Sequence, residues 1–403
     1  MVGSPTFRLE PPRLRISEEA DEERHATWFE LYFDLVFAAA LAELLTGLAK
    51  DPSGAVFARF AGVFLAVSWA WTGFTLYANR FDTDDLIYRL SKAGAAAAIA
   101  AIAIEIPRVM EGEGGAAAFA AGYTVVRVLL VGLYLRARRH VQGVGRRLID
   151  IYVSAFSFTA GLWFLSIFLP GPYREILWGV ALAIDLAAAP YAWTTLPGPR
   201  IVVSHLTERF SQFFIVVLGL TVAAVVAAVA GFEFSTEAWI LAGFSFVTAL
   251  ALWWIYFDLA DTSVVGRGML GLVYLYGHFP LFPGVVAFGA GTKLAIIHAG
   301  DAGLGAGTRW ALAGGLAAFA LALATFHLGA DWTSPRDRTF IGRLVLAAVL
   351  IVLAAAGGGL SPLLFVILVT IAVVAQLLLE AFTFPTGAAS VLQPPEVATD
   401  TAA

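Results

Sequence analysis

The stretch Val203–Ala230, VSHLTERFSQFFIVVLGLTVAAVVAAVA, opens with His205, Glu208, Arg209 and Gln212 and then runs uncharged from Phe213 to Ala230. That run of 18 residues is close to the ~20 needed for a helix to cross the hydrocarbon core of a bilayer. Working outward, comparable runs lie near Trp28–Ala49, Val56–Tyr77, Leu86–Ile106, Ala116–Leu135, Ile149–Leu169 and Ile176–Thr195. After the quoted stretch come Ala238–Asp258, Met269–His298, Trp310–Leu328, Phe340–Ala356 and Leu363–Phe384. One chain of 403 residues could not hide so many apolar runs from water, so their solvent is lipid. Composition agrees: 60% of residues are hydrophobic, 14% are charged and mean hydropathy is +0.81. Soluble domains hold about 25% charged residues. The expected fold is all-α, a polytopic transmembrane helical bundle of about 12 spans.

The expected organisation has four parts. Residues 1–25 are charged, carry Pro5, Pro11 and Pro12, lack the apolar segment of a signal peptide, and read as a cytoplasmic N-terminal arm. Residues 26–197 form a first six-helix membrane unit and residues 198–384 a second. Residues 385–403, rich in Ala, Pro and Thr, read as a disordered C-terminal tail.

Orientation follows from the basic residues. Arg8, Arg13, Arg15 and Arg24 precede the first span, and Arg80, Arg89 and Lys92 follow the second. Arg136, Arg138, Arg139, Arg146 and Arg147 follow the fourth, and Arg336, Arg338 and Arg343 follow the tenth. The alternate loops hold only Lys50, Arg59, Arg108, Arg174, Lys293 and Arg309. Both termini are therefore expected in the cytoplasm, with the protein in the bacterial cytoplasmic (inner) membrane. The Arg-, Ala- and Gly-rich composition points to a GC-rich bacterial source.

Span two ends in Tyr77-Ala78-Asn79-Arg80-Phe81-Asp82-Thr83, and span eight in Tyr256-Phe257-Asp258-Leu259-Ala260-Asp261-Thr262. Both follow Trp-rich stretches (Trp69, Trp71; Trp253, Trp254), about 179 residues apart. The offset predicts two parallel six-helix repeats, pairing Asn79 with Asp258 and Asp82 with Asp261.

Polar groups inside a bilayer are costly and need a reason. Glu30 and Asp34 share one face of span one at i, i+4. Two such carboxylates can bind a cation or carry a proton; Glu30 is also placed to sit among lipid headgroups. His205, Glu208, Arg209 and Gln212 fall at i, i+3, i+4 and i+7, one polar stripe that is expected to face the bundle interior. Arg209 is the expected counter-charge for Asp34. With Asp258, these are the candidate substrate- or ion-binding residues. Arg127 and Asp185 lie well inside their spans and would need partners if buried. Gly277-His278-Phe279-Pro280-Leu281-Phe282-Pro283-Gly284 marks a kink or a broken ninth span.

No catalytic residue, metal site or cofactor is expected. The chain has no cysteine, which removes disulfides, iron–sulfur clusters and cysteine zinc sites. It has no Walker loop, dinucleotide fingerprint, His-Glu-x-x-His or Gly-x-Ser-x-Gly, and no basic aromatic module for nucleic acid.

The stretches Ala26-Thr27-Trp28-Phe29-Glu30-Leu31-Tyr32-Phe33-Asp34-Leu35-Val36-Phe37, His205-Leu206-Thr207-Glu208-Arg209-Phe210 with Ile215–Gly219, and Trp253-Trp254-Ile255-Tyr256-Phe257-Asp258 resemble the bacterial low temperature requirement protein A (LtrA) family. The resemblance is ordered and spans nearly the whole hydrophobic region. It implies a multipass membrane protein and names no molecular activity. The family usually has Gly-Glu where this chain has Gly219-Leu220, and tends to have Gln where it has Glu43. Phe33-Asp34-Leu35-Val36-Phe37 is also similar to the Phe-Ser-Asp motif in the first helix of endolysosomal and bacterial potassium channels built from six-span units, without the Ser.

The expected partners are the lipid bilayer and an ion or small solute. The leading expectation is a secondary transporter or channel-like protein. The alternatives are an intramembrane enzyme on an apolar substrate, and a non-transporting membrane scaffold or sensor. No motif names the substrate, the coupling ion or the oligomeric state.

Overall fold

Helices dominate because a backbone in lipid must satisfy its own hydrogen bonds. The computed structural model describes residues 9–15, 27–195, 203–231, 235–258, 269–327 and 337–383. In chain order the helices are α1 (Trp28–Lys50), α2 (Gly54–Arg80), α3 (Leu86–Glu111), α4 (Ala116–Arg138), α5 (Gly143–Ser166) and α6 (Tyr173–Thr195). They continue with α7 (Val203–Ala230), α8 (Thr236–Asp258), α9 (Met269–Ile297), α10 (Ala306–His327), α11 (Arg338–Ala356) and α12 (Pro362–Thr383). All 12 are long and apolar enough to cross a membrane. Large apolar side chains such as Leu35, Ile104, Phe158, Phe164 and Val352 are exposed on their outer faces, as expected where the solvent is lipid.

The helix ends follow local chemistry. Thr27 caps α1 in a capping box: its Oγ1 accepts from the Glu30 N–H at 3.2 Å, and Glu30 Oε2 accepts from the Thr27 N–H at 2.9 Å. Asp85 caps α3 by accepting from the Tyr88 N–H at 3.1 Å. Gly112 ends α3 with φ 75°, a left-handed position that glycine takes without strain.

The chain packs as two compact units, Met1–Arg209 and Phe210–Ala403, with the boundary inside α7. In the first unit α3 packs on α1, and α3, α4, α5 and α6 each pack on the next. A two-residue strand, β1 (Arg13–Leu14), pairs antiparallel with β2 (Phe81–Asp82), in the register Arg13 to Asp82 and Leu14 to Phe81. Arg136 ties this end together with a bidentate pair to Asp85 at 2.8 and 2.6 Å, and it also donates to the Glu10 carbonyl. Nothing in the sequence signals that part of the N-terminal arm is held in this way. The expectation of a disordered tail falls outside the described residues.

In the second unit α9 packs on α10, α10 on α11, α11 on α12 and α8 on α12. Of the two readings of the ninth span, a kink or a break, the break is absent. α9 stays helical through Pro280 and Pro283. Gly277, Gly284 and Gly291 recur every seven residues and let α10 approach the α9 backbone. A Cβ on Gly277 would strike the Phe326 ring, one on Gly284 the Gly315 carbonyl, and one on Gly291 the Leu312 backbone. Leu312 lies in a single π turn, Trp310–Gly314, within α10.

Candidate functional site

In the first unit, the first two turns of α1 and of α7 meet α2 and α3 in a buried cluster of charges. Asp34 Oδ1 accepts from Arg209 NH2 at 2.5 Å and from Trp71 Nε1 at 2.7 Å. Arg209 NH2 also reaches the Glu30 carbonyl at 3.4 Å. Glu30 serves twice. Besides capping α1, its Oε1 lies 3.7 Å from Lys92 Nζ and its Oε2 lies 3.8 Å from His205 Nε2. Asn79 Nδ2 lies 3.5 Å from His205 Nδ1. Glu30, Asp34, Asn79, Lys92, His205 and Arg209 are each at most 2% exposed.

The geometry explains why these charges survive burial. Isolated, each would neutralise or remain very costly. Here Glu30 and Asp34 are balanced by Lys92 and Arg209. Lys92 sits among the rings of Phe33, Tyr88 and Phe29, at 5.1, 5.4 and 5.8 Å, a cation–π setting. The Arg209 guanidinium lies 5.9 Å from the Trp71 ring. Asp34 Oδ2 is buried and has no hydrogen-bond partner among the described residues.

Of the residues singled out from sequence, Glu30, Asp34, His205 and Arg209 come together here. The pairing of Arg209 with Asp34 is as expected. Glu208 is half-buried on α7. Gln212 and Asp258 are half-buried and belong to the second unit.

Sequence reasoning misses Lys92, Trp71 and Asn79 as site residues. It reads Lys92 as a loop charge, but Lys92 is in the second turn of α3 and buried; so are Arg80, on α2, and Arg343, on α11. Arg80 stacks over the Tyr152 ring at 4.7 Å. These residues do not bear on orientation as loop charges do. A signal for Lys92 is available: it is one of only three lysines in a chain that otherwise uses Arg.

Arg127 and Asp185 are buried and partner each other, through Arg127 NH2 and Asp185 Oδ2. Thr159 donates to Asp185 Oδ1 at 2.8 Å. This clamp joins α4, α5 and α6. In the second unit Arg343 makes a bidentate pair with Glu380 at 2.9 and 2.7 Å and donates to the Leu323 carbonyl. Gln376 donates to Glu380 at 2.7 Å. His278 Nδ1 is 2.7 Å from the Tyr274 carbonyl, so it carries the proton there and leaves Nε2 to accept from the Tyr256 hydroxyl at 2.9 Å.

Twelve apolar helices with charges paired inside them define a multipass helical membrane protein. The family model for the bacterial low temperature requirement A protein (LtrA) matches residues 25–378, and the chain belongs to that family. It is also 28% identical over 310 residues to an uncharacterized protein of Rhizobium meliloti (strain 1021), covering 70% of this chain and 72% of that relative.

Proposed function

We propose that this protein is a secondary transporter or channel-like protein for an ion or small solute, and that the cluster of Glu30, Asp34, Lys92, His205 and Arg209 is its ion-responsive site. The proposal places it in the bacterial cytoplasmic membrane with both termini in the cytoplasm. The richest basic loop, Arg136 to Arg147, supports that orientation.

The observation that carries the reading is the buried Asp34 Oδ2, which has no hydrogen-bond partner among the described residues although Asp34 Oδ1 is paired with Arg209. A purely structural clamp gains most when each carboxylate oxygen is satisfied, as in the pair of Arg343 with Glu380. An orphan acceptor beside a balanced set of charges can instead take a proton or a cation. Either event would weaken the hold of Arg209 on Asp34 and so loosen the start of α7, up to Arg209, from α1, a local charge change coupled to helix packing. Packing of consecutive helices from third to sixth in each unit supports the proposed duplication of a six-helix unit. Asp261, expected to pair with Asp82, lies outside the described residues.

The test is flux in proteoliposomes. Purified protein is reconstituted with imposed proton, sodium or potassium gradients, and wild type is compared with Asp34→Asn and Lys92→Met. Wild type should dissipate at least one gradient and Asp34→Asn should lose most of that flux while remaining folded. Equal flux in folded Asp34→Asn would overturn the assignment of the site. Absence of flux for every gradient would overturn ion transport.

A further inference from the structure

The first unit contains a cavity of about 870 Å³ at the end where α2 and α6 begin and α3 and α5 finish. Its walls are mostly apolar: Val63 and Leu65 on α2, Leu182 and Leu186 on α6, and Trp163 and Trp178, stacked with ring centroids 5.1 Å apart. The cavity is wide because two helical positions facing it are glycine. A Cβ on Gly62 or Gly179 would meet nothing within 4 Å.

Its rim is charged. Arg59 donates through NH1 to the Met110 carbonyl at 2.9 Å, and Arg174 donates through Nε to the Ser166 carbonyl at 3.1 Å. Neither guanidinium has a carboxylate partner among the described residues, and each keeps further N–H donors. Glu175, also on the rim, has no cationic partner among them. Along α6 the cavity reaches from Arg174 to Leu186, about 18 Å at ~1.5 Å per residue. That is near half of the ~30 Å hydrocarbon core, the depth of one leaflet.

We infer that this cavity is a phospholipid site that seats one acyl chain between α2 and α6 and selects a phosphoethanolamine headgroup. Charge complementarity sets the occupant. Arg59 and Arg174 supply donors for the phosphate oxygens, in the geometry guanidinium groups favour. Glu175 accepts hydrogen bonds from a primary ammonium. A quaternary ammonium has no N–H to give it, and a glycerol headgroup has no positive charge. The apolar walls and the space left by Gly62 and Gly179 take the chain.

The full chain is reconstituted in nanodiscs with equal amounts of phosphatidylethanolamine, phosphatidylglycerol and phosphatidylcholine, then released into detergent for native mass spectrometry. We expect one retained phosphatidylethanolamine per chain, at least about tenfold over the other two lipids. Gly179→Phe should abolish retention by filling the chain path, and Arg59→Ala with Arg174→Ala should abolish it at the headgroup. Glu175→Gln should keep a retained lipid but remove the preference for ethanolamine. Gly132→Phe, at an exposed position on α4 outside the cavity, should change nothing. No retained lipid in wild type, unchanged retention in folded Gly179→Phe, or equal retention of the three lipids would overturn the assignment.

Discussion

Replacing Asp34 or Arg209 alone should damage the protein far more than replacing both. Asp34 and Arg209 are 2% and 1% exposed at their side chains, and their contact is 2.5 Å between Oδ1 and NH2. Taking the charge centres as roughly 4 Å apart, the attraction is about 4 kcal/mol at an effective dielectric of ~20. Removing one partner also strands the other in a buried site, and measured losses for buried pairs are about 3–5 kcal/mol. Trp71 still donates to Asp34 in Arg209→Ala, which places that variant near the lower end of the range. The pairing with Lys92 is made by Glu30 and not by Asp34, so it gives Asp34 no direct substitute. The assay is SDS-driven unfolding in mixed micelles of wild type, Asp34→Ala, Arg209→Ala and the double variant. Each single change should cost about 3–4 kcal/mol, and the double variant should fall short of the sum by at least about 2 kcal/mol. Additivity within about 0.5 kcal/mol would show that the two groups do not interact, and the reasoning for a shared site would fail.

In the clamp of Arg127 with Asp185, Arg127 Nε and NH1 are buried without a hydrogen-bond partner among the described residues. Arg127→Ala should cost about 3–5 kcal/mol in the same unfolding assay, while Arg127→Met with Asp185→Leu should recover most of it, because well-packed apolar replacements often match a buried ion pair. Gly291→Ala should lower the thermal midpoint, since its Cβ meets Leu312 backbone that cannot move aside, whereas Gly219→Ala, with open space around it, should leave the midpoint unchanged or raise it. Burial acts to raise the carboxyl pKa of Asp85, but hydrogen bonds from Arg136 and from the Tyr88 and Glu10 N–H groups outweigh it and hold the pKa below its ordinary value. Its contribution is therefore present above the unfolded-state value of about 4 and lost as pH falls through the lower folded value. Stability measured against pH should show an acid-side loss that flattens in Asp85→Asn. A reporter fused to the C-terminus should be active on the cytoplasmic side, and activity only on the outer side would overturn the proposed orientation.

The twelve spans were legible because the bilayer imposes one length and one composition on each helix, and Val203–Ala230 or Pro362–Thr383 cannot satisfy that rule by accident. The start of α1 near Trp28 was legible from hydropathy, and the structure adds the capping box of Thr27 with Glu30 that fixes it. Local spacing also showed that Glu30 shares a face with Asp34 and His205 with Arg209. The sequence could not show which charges were buried. Lys92 reads as a loop residue until α1 packs on α3 and brings Glu30 within 3.7 Å. Arg127 and Asp185 read as isolated charges until α4, α5 and α6 close around Thr159. Pro280 and Pro283 read as a kink or a break, and α9 stays helical where its seam of glycines lets α10 pack close. Hydropathy depends on residues close together in the chain, so the sequence alone determined about how many spans there are and roughly where they begin. Ion pairing in lipid depends on which helices touch over separations such as the 175 residues between Asp34 and Arg209. Only the tertiary structure decided that, because the distance between two charges sets both the attraction and the desolvation it must offset.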